Sequence, residues 1–559
     1  MTGLRTGARL AGPLAALAAL SGAAFAQDGP LACGEDLAES LRLAEGTRVT
    51  AVSHVEAGEE APVAHCLVSA VTQEREGMDG ESYAIRFEVR LPDEWNGDFV
   101  HQFNGGNDGA VVPAFGPLMG ADTSDTALSR GYAVVSSDAG HAGDAQAETA
   151  GLASGNRFGL DAQARRNYGY GAVAVLDPIA RAVVEGFYGS EIGHAYGVGG
   201  SNGGRHAMIA AARMPEAFDG LLIGYPGFNL PKAAVQHAWD IQAFKSITGD
   251  VRTAFSTDDL SLVAEEMLGV CDGFDGLEDG IIGDSPACQE AFDVTALACE
   301  DGQNAGCLAP EQTEVLARIH AGPTNSAGEQ LYSPWVFDTG IGSGDWRFWK
   351  LESPIPPWDN MPLIATMGAG SLSYIFTTPP TEVGGSPAEL EQFLLDFDFD
   401  EDAPKIFATD EAYSESAMEV MTPPGADDPE LAEFRDAGAK MIIVHGNSDP
   451  VFSVVDTIDW YEALDANNGG NAEEFARLYT VPGMPHGAGA NSTSDFDLFT
   501  ALVDWVENGE QPGAIIAGTL PGSEAEAALG SITRPLCPYP QIARYESGDE
   551  ASADSFTCE

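Results

Sequence analysis

The sequence predicts an α/β protein, a doubly wound sheet interrupted by one large inserted lid domain, and three stretches carry that reading. Gly131-Tyr132-Ala133-Val134-Val135-Ser136-Ser137-Asp138 is nearly all apolar until its end, as a strand buried on both faces must be. Tyr196 to Gly200 reads the same way and passes through Ser201 into an Ala-rich helix from Arg205 to Arg213. This rhythm stops after Gly220 to Gly227 and resumes only at Met441-Ile442-Ile443-Val444. The expected organisation is therefore a signal peptide over 1–26, a sheet domain over 27–229 and 438–559, and a lid over 230–437.

The first residues carry Arg5 and Arg9, an apolar run from Leu10 to Leu20, then Ala24-Phe25-Ala26 ahead of Gln27. That is the pattern of a secretory signal with an A-x-A cleavage site, so a secreted or periplasmic protein beginning near Gln27 is expected. With 86 acidic against 26 basic residues, the net charge of −60 argues against nucleic acid and anionic membranes as partners. A hydrophobic content of 44% places those carboxylates on a folded surface rather than in a disordered chain. Eight cysteines in an exported chain predict disulfides. Sequential pairing is taken from the many connectivities open to them: Cys33 with Cys66, Cys271 with Cys288, Cys299 with Cys307, and Cys537 with Cys558.

From Cys33 to about Glu94 polar and apolar residues alternate, which predicts antiparallel strands, clearest over Tyr83 to Leu91. The strand Asp98 to Phe103 then runs into the loop Asn104-Gly105-Gly106-Asn107-Asp108-Gly109, whose free N–H groups could face an anion. Asp177 to Tyr188 reads as an amphipathic helix. Gly199, Ser201 and Gly203 spell G-x-S-x-G, where a strand reverses so tightly that side chains beside the serine would clash. In a chain with 66 glycines the pattern carries weight only through this strand-turn-helix setting. The Asn202 N–H would supply the first half of an oxyanion hole and the glycine-rich loop the second.

The lid is rich in proline, glycine and aromatic residues, and Trp346, Phe348, Trp349 and Trp358 between Trp335 and Trp358 could wall an aromatic site or form the lid's own core. Within Cys271 to Ile281, Asp272, Asp275 and Asp279 place three hard oxygen ligands on a glycine-turned loop. This suits Ca²⁺, although so acidic a chain also makes solvated acidic loops. Beyond the lid, Asp449 follows the strand ending at Val444, where it could orient a histidine or cap a helix. His486 follows the strand Phe475 to Val481, and His141, His206 and His445 compete with it as base. The order Ser201, Asp449, His486 is that of α/β-hydrolases.

With these residues assembled, the chain resembles the tannase and feruloyl esterase family, which includes hydrolases of mono(hydroxyethyl) terephthalate. The resemblance rests on Trp95-Asn96-Gly97-Asp98, the Gly105-Gly106 loop, Gly131 to Val135 with Asp138 and His141, and the elbow Ser201 to Arg205. It continues through the Cys271 to Asp279 loop, His445-Gly446 with Asp449-Pro450, and Pro482-Gly483-Met484 before His486. It implies Ser201 as nucleophile, His486 as base, Asp449 as acid, and the Gly106 and Asn202 N–H groups as oxyanion hole. It also implies a lid calcium held by Asp272, Asp275 and Asp279 with the carbonyls of Leu277 and Ile281.

The substrates implied are small esters of aromatic acids. Aliphatic polyester oligomers, acyl-sugars, or a non-catalytic calcium-stabilised binding role remain open alternatives. One departure stands out. Where the family joins the two catalytic loops by a disulfide, this chain has Gly200 and Gly487. The expectation is a triad held by packing alone, stabilised if cysteines are installed at both positions.

Overall fold

The structure is a computed structural model describing residues 29–58, 61–145, 147–300 and 305–559, so the expected signal peptide lies outside the described residues. Its centre is a nine-stranded sheet in the order β1-β2-β3-β5-β4-β6-β7-β8-β9. The strands are β1 Arg48–Val55, β2 His65–Glu76, β3 Ser82–Pro92, β4 Phe99–Phe103, β5 Ala133–Ser137, β6 Ala195–Gly200, β7 Gly220–Gly224, β8 Lys440–Gly446 and β9 Ala476–Val481. The first three form the antiparallel meander expected from their alternation. From β5 across to β9 every pair is parallel.

Period-two alternation divides the central strands between two cores. Leu221 and Ile223 of β7, with Met441 and Ile443 of β8, pack beneath the helices Asn202–Arg213 and Val454–Asn467. Leu222, Ile442 and Val444 face the opposite way, against the helix Leu498–Asn508. Each of these side chains is fully buried and contributes roughly 2 kcal/mol. The helix expected at Asp177 begins earlier, at Ala172, and continues through Pro178.

The segment between β7 and β8, expected as the lid, is a long insertion between two adjacent strands of the sheet. It reads as irregular in sequence because its helices are short: Leu230–Thr248 and Thr257–Cys271 are the long ones, and most of the rest span 4–11 residues. The lid has its own apolar core around Phe244, Phe255, Leu316 and Leu372. Phe158, Ala164 and Tyr168, from the stretch between β5 and β6, join it. All four sequential disulfides are present. Among the described residues, no helix is long and apolar enough to cross a membrane.

Candidate active site

Because the central strands are parallel, the loops after β4, β6, β7, β8 and β9 gather at one edge of the sheet, where an open α/β sheet leaves a crevice. Ser201 stands at the turn from β6 into its helix with φ +62° and ψ −126°, a left-handed strained backbone for a residue with a side chain. The turn closes only because its neighbours are glycines. A Cβ on Gly199 would lie 2.6 Å from the Gly203 carbonyl carbon, and one on Gly203 would lie 2.2 Å from the Phe103 oxygen.

The loop after β8 brings Asp449 and the loop after β9 brings His486 to this serine. Ser201 Oγ donates to His486 Nε2 at 2.8 Å, and His486 Nδ1 donates to Asp449 Oδ2 at 2.8 Å. Burial would push the Asp449 carboxyl up, but the charge of His486 and hydrogen bonds from His445 and His486 outweigh it and hold the group well below the usual carboxylate range. As an acceptor only, Asp449 keeps the proton on Nδ1 and leaves Nε2 to accept from the serine. Its Oδ1 accepts from the backbone N–H groups of Val451 and Phe452, which fixes the carboxylate.

The three competing histidines are placed elsewhere. His141 stacks on Phe158 and meets the Asn107 carbonyl, His206 meets Asp108, and His445 lies buried beneath Asp449. The glycine-rich loop does approach the serine: a Cβ on Gly105 would stand 3.7 Å from that of Ser201. The Tyr168 hydroxyl donates to the Gly106 carbonyl at 3.3 Å. As first residue of its helix, Asn202 has no intrahelical acceptor for its N–H. Its side-chain amide donates to Asp108 at 2.9 Å, tying loop to helix. Burial pushes the Asp108 carboxyl up to about 7 and holds His206 well below its ordinary range.

The serine opens into a cleft of about 1370 Å³ including its mouth, roomy enough for an aromatic ester. Of the aromatic residues from Trp335 to Trp358, all described, Trp349 alone lines it. Trp346 is buried against Phe244, and Phe348 stacks on Trp358. Trp349, Phe452 and Tyr225 set their rings edge-on around His486, with centroids 4.9–5.3 Å away.

Sequence reasoning missed Tyr225, which fills the space between Gly200 and Gly487. A Cβ on Gly200 would lie 2.5 Å from the Tyr225 hydroxyl, and Gly487 has φ +103°. The gain expected from two cysteines is conditional on retained loop geometry, and the Tyr225 ring stands where a Cβ at 200 would go, so a bridge requires the ring to move. The paired absence of side chains at 200 and 487 signals a filler, but nothing local says which residue supplies it.

The acidic lid loop keeps its carboxylates close enough that Asp279 and Asp272 add to burial in pushing Asp275 up to about 6. Asp275 fits only because position 283 is glycine, where a Cβ would lie 2.2 Å from its Oδ2. Asp272 accepts from the N–H groups of Asp279 and Gly280, and Asp279 pairs with Arg534. Among the described residues only Asp98, His194 and Glu507 bring three ligand atoms within 4.8 Å of one another. The loop aspartates, mutually repelled, turn to N–H groups and Arg534 instead.

A family model described as tannase and feruloyl esterase matches residues 69–559. Mono(2-hydroxyethyl) terephthalate hydrolase of Piscinibacter sakaiensis is 39% identical over 519 residues, covering 88% of this chain and 84% of that one. A probable feruloyl esterase of Arthroderma benhamiae is 28% identical, covering 84% and 81%. The solved structure of feruloyl esterase B from Aspergillus oryzae shares the fold, with a TM-score of 0.73 at 20% identity, over 94% of this chain and 99% of that one. An elbow serine in an α/β-hydrolase sheet and a family match over nearly all of the described residues lead to one conclusion: the chain belongs to the tannase and feruloyl esterase family of carboxylic ester hydrolases.

Proposed function

We infer that this protein hydrolyses esters of aromatic carboxylic acids, of the hydroxycinnamic, gallic or terephthalic kind, through an acyl-enzyme on Ser201. The observation that carries this is the relay Ser201–His486–Asp449 at the floor of a largely apolar cleft. His486 takes the serine proton as Oγ attacks the ester carbonyl, and the ionised Asp449 stabilises the imidazolium. The oxyanion is held by the N–H groups of Gly106 and Asn202. His486 then returns the proton to the leaving alcohol, and water attacks the acyl-enzyme with the same base. The named activities of the relatives support the aromatic class.

The protein is exported, and its lid holds a structural calcium through Asp272, Asp275, Asp279 and the carbonyls of Leu277 and Ile281. What supports that donor set is that the three carboxylates share one loop and repel one another, as the rise of Asp275 records, and an ion would have to take Asp279 from Arg534. The ion would cross-link the loop and takes no part in acyl transfer.

The test is hydrolysis of methyl ferulate, methyl gallate, mono(2-hydroxyethyl) terephthalate and p-nitrophenyl butyrate by the protein and by Ser201→Ala. Turnover of an aromatic ester, lost in the variant, is expected. Turnover of the butyrate alone would sink the aromatic assignment, and equal rates in the variant would sink the nucleophile.

A further inference from the structure

On the lid side the cleft is lined by Leu230, Ala234, Leu363, Ile364, Met367 and Phe376. Into this apolar wall the helix Leu230–Thr248 sets His237, which is only 8% exposed. Neither of its ring nitrogens has a hydrogen-bond partner. Among the described residues lining the cleft, it is the one with buried side-chain polar atoms left unsatisfied. Other polar groups that line the cleft are committed elsewhere: the Ser371 hydroxyl donates to the Met367 carbonyl, and the Asn107 amide donates to Asn156 and Ser371. A buried polar group without partners calls for an explanation, and a ligand is one that a cleft provides, reached by a turn of the ring because both nitrogens lie beneath the cleft surface.

Two further observations say what that ligand is. Burial, then the charge of Lys350, pushes the His237 imidazole down to about 3, so it stands neutral with one nitrogen donating and the other accepting. A hydroxyl, which both donates and accepts, matches either tautomer. Secondly, among the described residues no Lys, Arg, Asp or Glu lines the cleft, and the whole chain carries −60. A substrate carboxylate would lose its hydration there with no cation to receive it. Gly368 makes the arrangement possible, since a Cβ at that position would lie 2.4 Å from His237 Nδ1.

We propose that His237 is a specificity-determining residue that hydrogen-bonds a phenolic hydroxyl on the acyl ring, so that the cleft takes uncharged aromatic esters and rejects those bearing a free carboxylate. The proposal rests on the ester-hydrolase reading above and narrows it. It separates this chain from the 39% identical relative, whose named substrate carries a free carboxylate.

The experiment compares kcat/KM for methyl 4-hydroxycinnamate against methyl cinnamate, and for bis(2-hydroxyethyl) against mono(2-hydroxyethyl) terephthalate. It uses the wild-type protein, His237→Phe and His237→Gln, with folding checked by thermal denaturation. The wild type should favour each first-named ester by roughly tenfold or more, since a site built to pair a hydroxyl rejects the analogue lacking it. His237→Phe should bring the hydroxyl ratio toward one, and His237→Gln should keep part of it. A wild-type hydroxyl ratio near one, faster cleavage of the monoester, or a ratio unmoved in His237→Phe would overturn the proposal. Should His237→Phe not fold, the wild-type ratios and His237→Gln decide. Turnover without hydroxyl preference defeats this proposal alone, whereas no turnover of any ester defeats the functional reading with it.

Discussion

The sheet edge and the lid wall meet in one cleft and are built on opposite terms. On the sheet side, the polar groups around the serine are bonded to each other: Ser201 to His486, His486 to Asp449, Asn202 to Asp108. On the lid side, His237 stands unpaired among aliphatic residues. Chemistry needs groups fixed before the substrate arrives, because preorganised dipoles need no rearrangement as charge develops. Selection needs groups left for the substrate to satisfy. Changes at the sheet edge should therefore lower rates on every ester, and changes at the lid wall should alter ratios between esters.

The largest effect is expected from Ser201→Ala, which should lower kcat by roughly 10⁴-fold or more on aromatic and aliphatic esters alike while leaving the melting temperature near that of the wild type. A loss confined to aromatic esters would break the comparison. Asp449→Asn should cost about 10⁴-fold in kcat, because the asparagine amide favours the wrong tautomer of His486. Stopped assays at matched substrate saturation would show whether KM stays put, as a group acting on the base rather than on the substrate requires.

Removal of calcium bears on the lid and should spare the chemistry. If the ion is held as proposed, dialysis against EGTA should remove on the order of 3 kcal/mol of stability, corresponding to saturation near a hundred times Kd. The melting temperature would fall by several degrees with kcat unchanged well below the transition. A melting curve indifferent to EGTA would end the calcium reading. The double variant Gly200→Cys/Gly487→Cys should melt a few degrees lower than the wild type, since the new Cβ at 200 collides with Tyr225. Adding Tyr225→Ala should let the bridge form, seen as a melting temperature that drops on reduction.

The smallest effect concerns the network beneath the loop. Folded Asp108 holds its proton up to about 7, whereas an unfolded aspartate releases it near 3.8. The folded state thus binds the extra proton across that window, and the contribution of Asp108 to stability falls as pH rises through it. Asp108→Asn cannot ionise, so its melting temperature relative to the wild type should climb from about pH 4 to about pH 7 and then level off. A difference independent of pH would mean the carboxyl is ionised in the fold throughout.

Much of the sheet edge was legible in the sequence. The glycines around Ser201 announce the elbow because part of the crowding there is local, Gly199 against Gly203, although Phe103 closes the turn from a distant strand. Asp449 and His486 could be placed because each follows an apolar strand, and parallel strands deliver their following loops to the same edge. The lid was legible only as an interruption. Its short helices carry weak periodicity, and of its aromatic residues from Trp335 to Trp358 only Trp349 proved to face the cleft, a choice made by how the helices pack. The pairing of Asp279 with Arg534 spans 255 residues and leaves no local mark.

By itself, then, the sequence determined the strands, the strained serine turn, the order of the relay residues and the cysteine spacing, all set by sterics and periodicity over a few residues. Only the tertiary structure decided that Tyr225 would occupy the seat between Gly200 and Gly487, and that His237 would share a cleft with Ser201 without a partner of its own. Those outcomes depend on which surfaces remain to be filled once distant segments have packed, and no short stretch of chain contains that information.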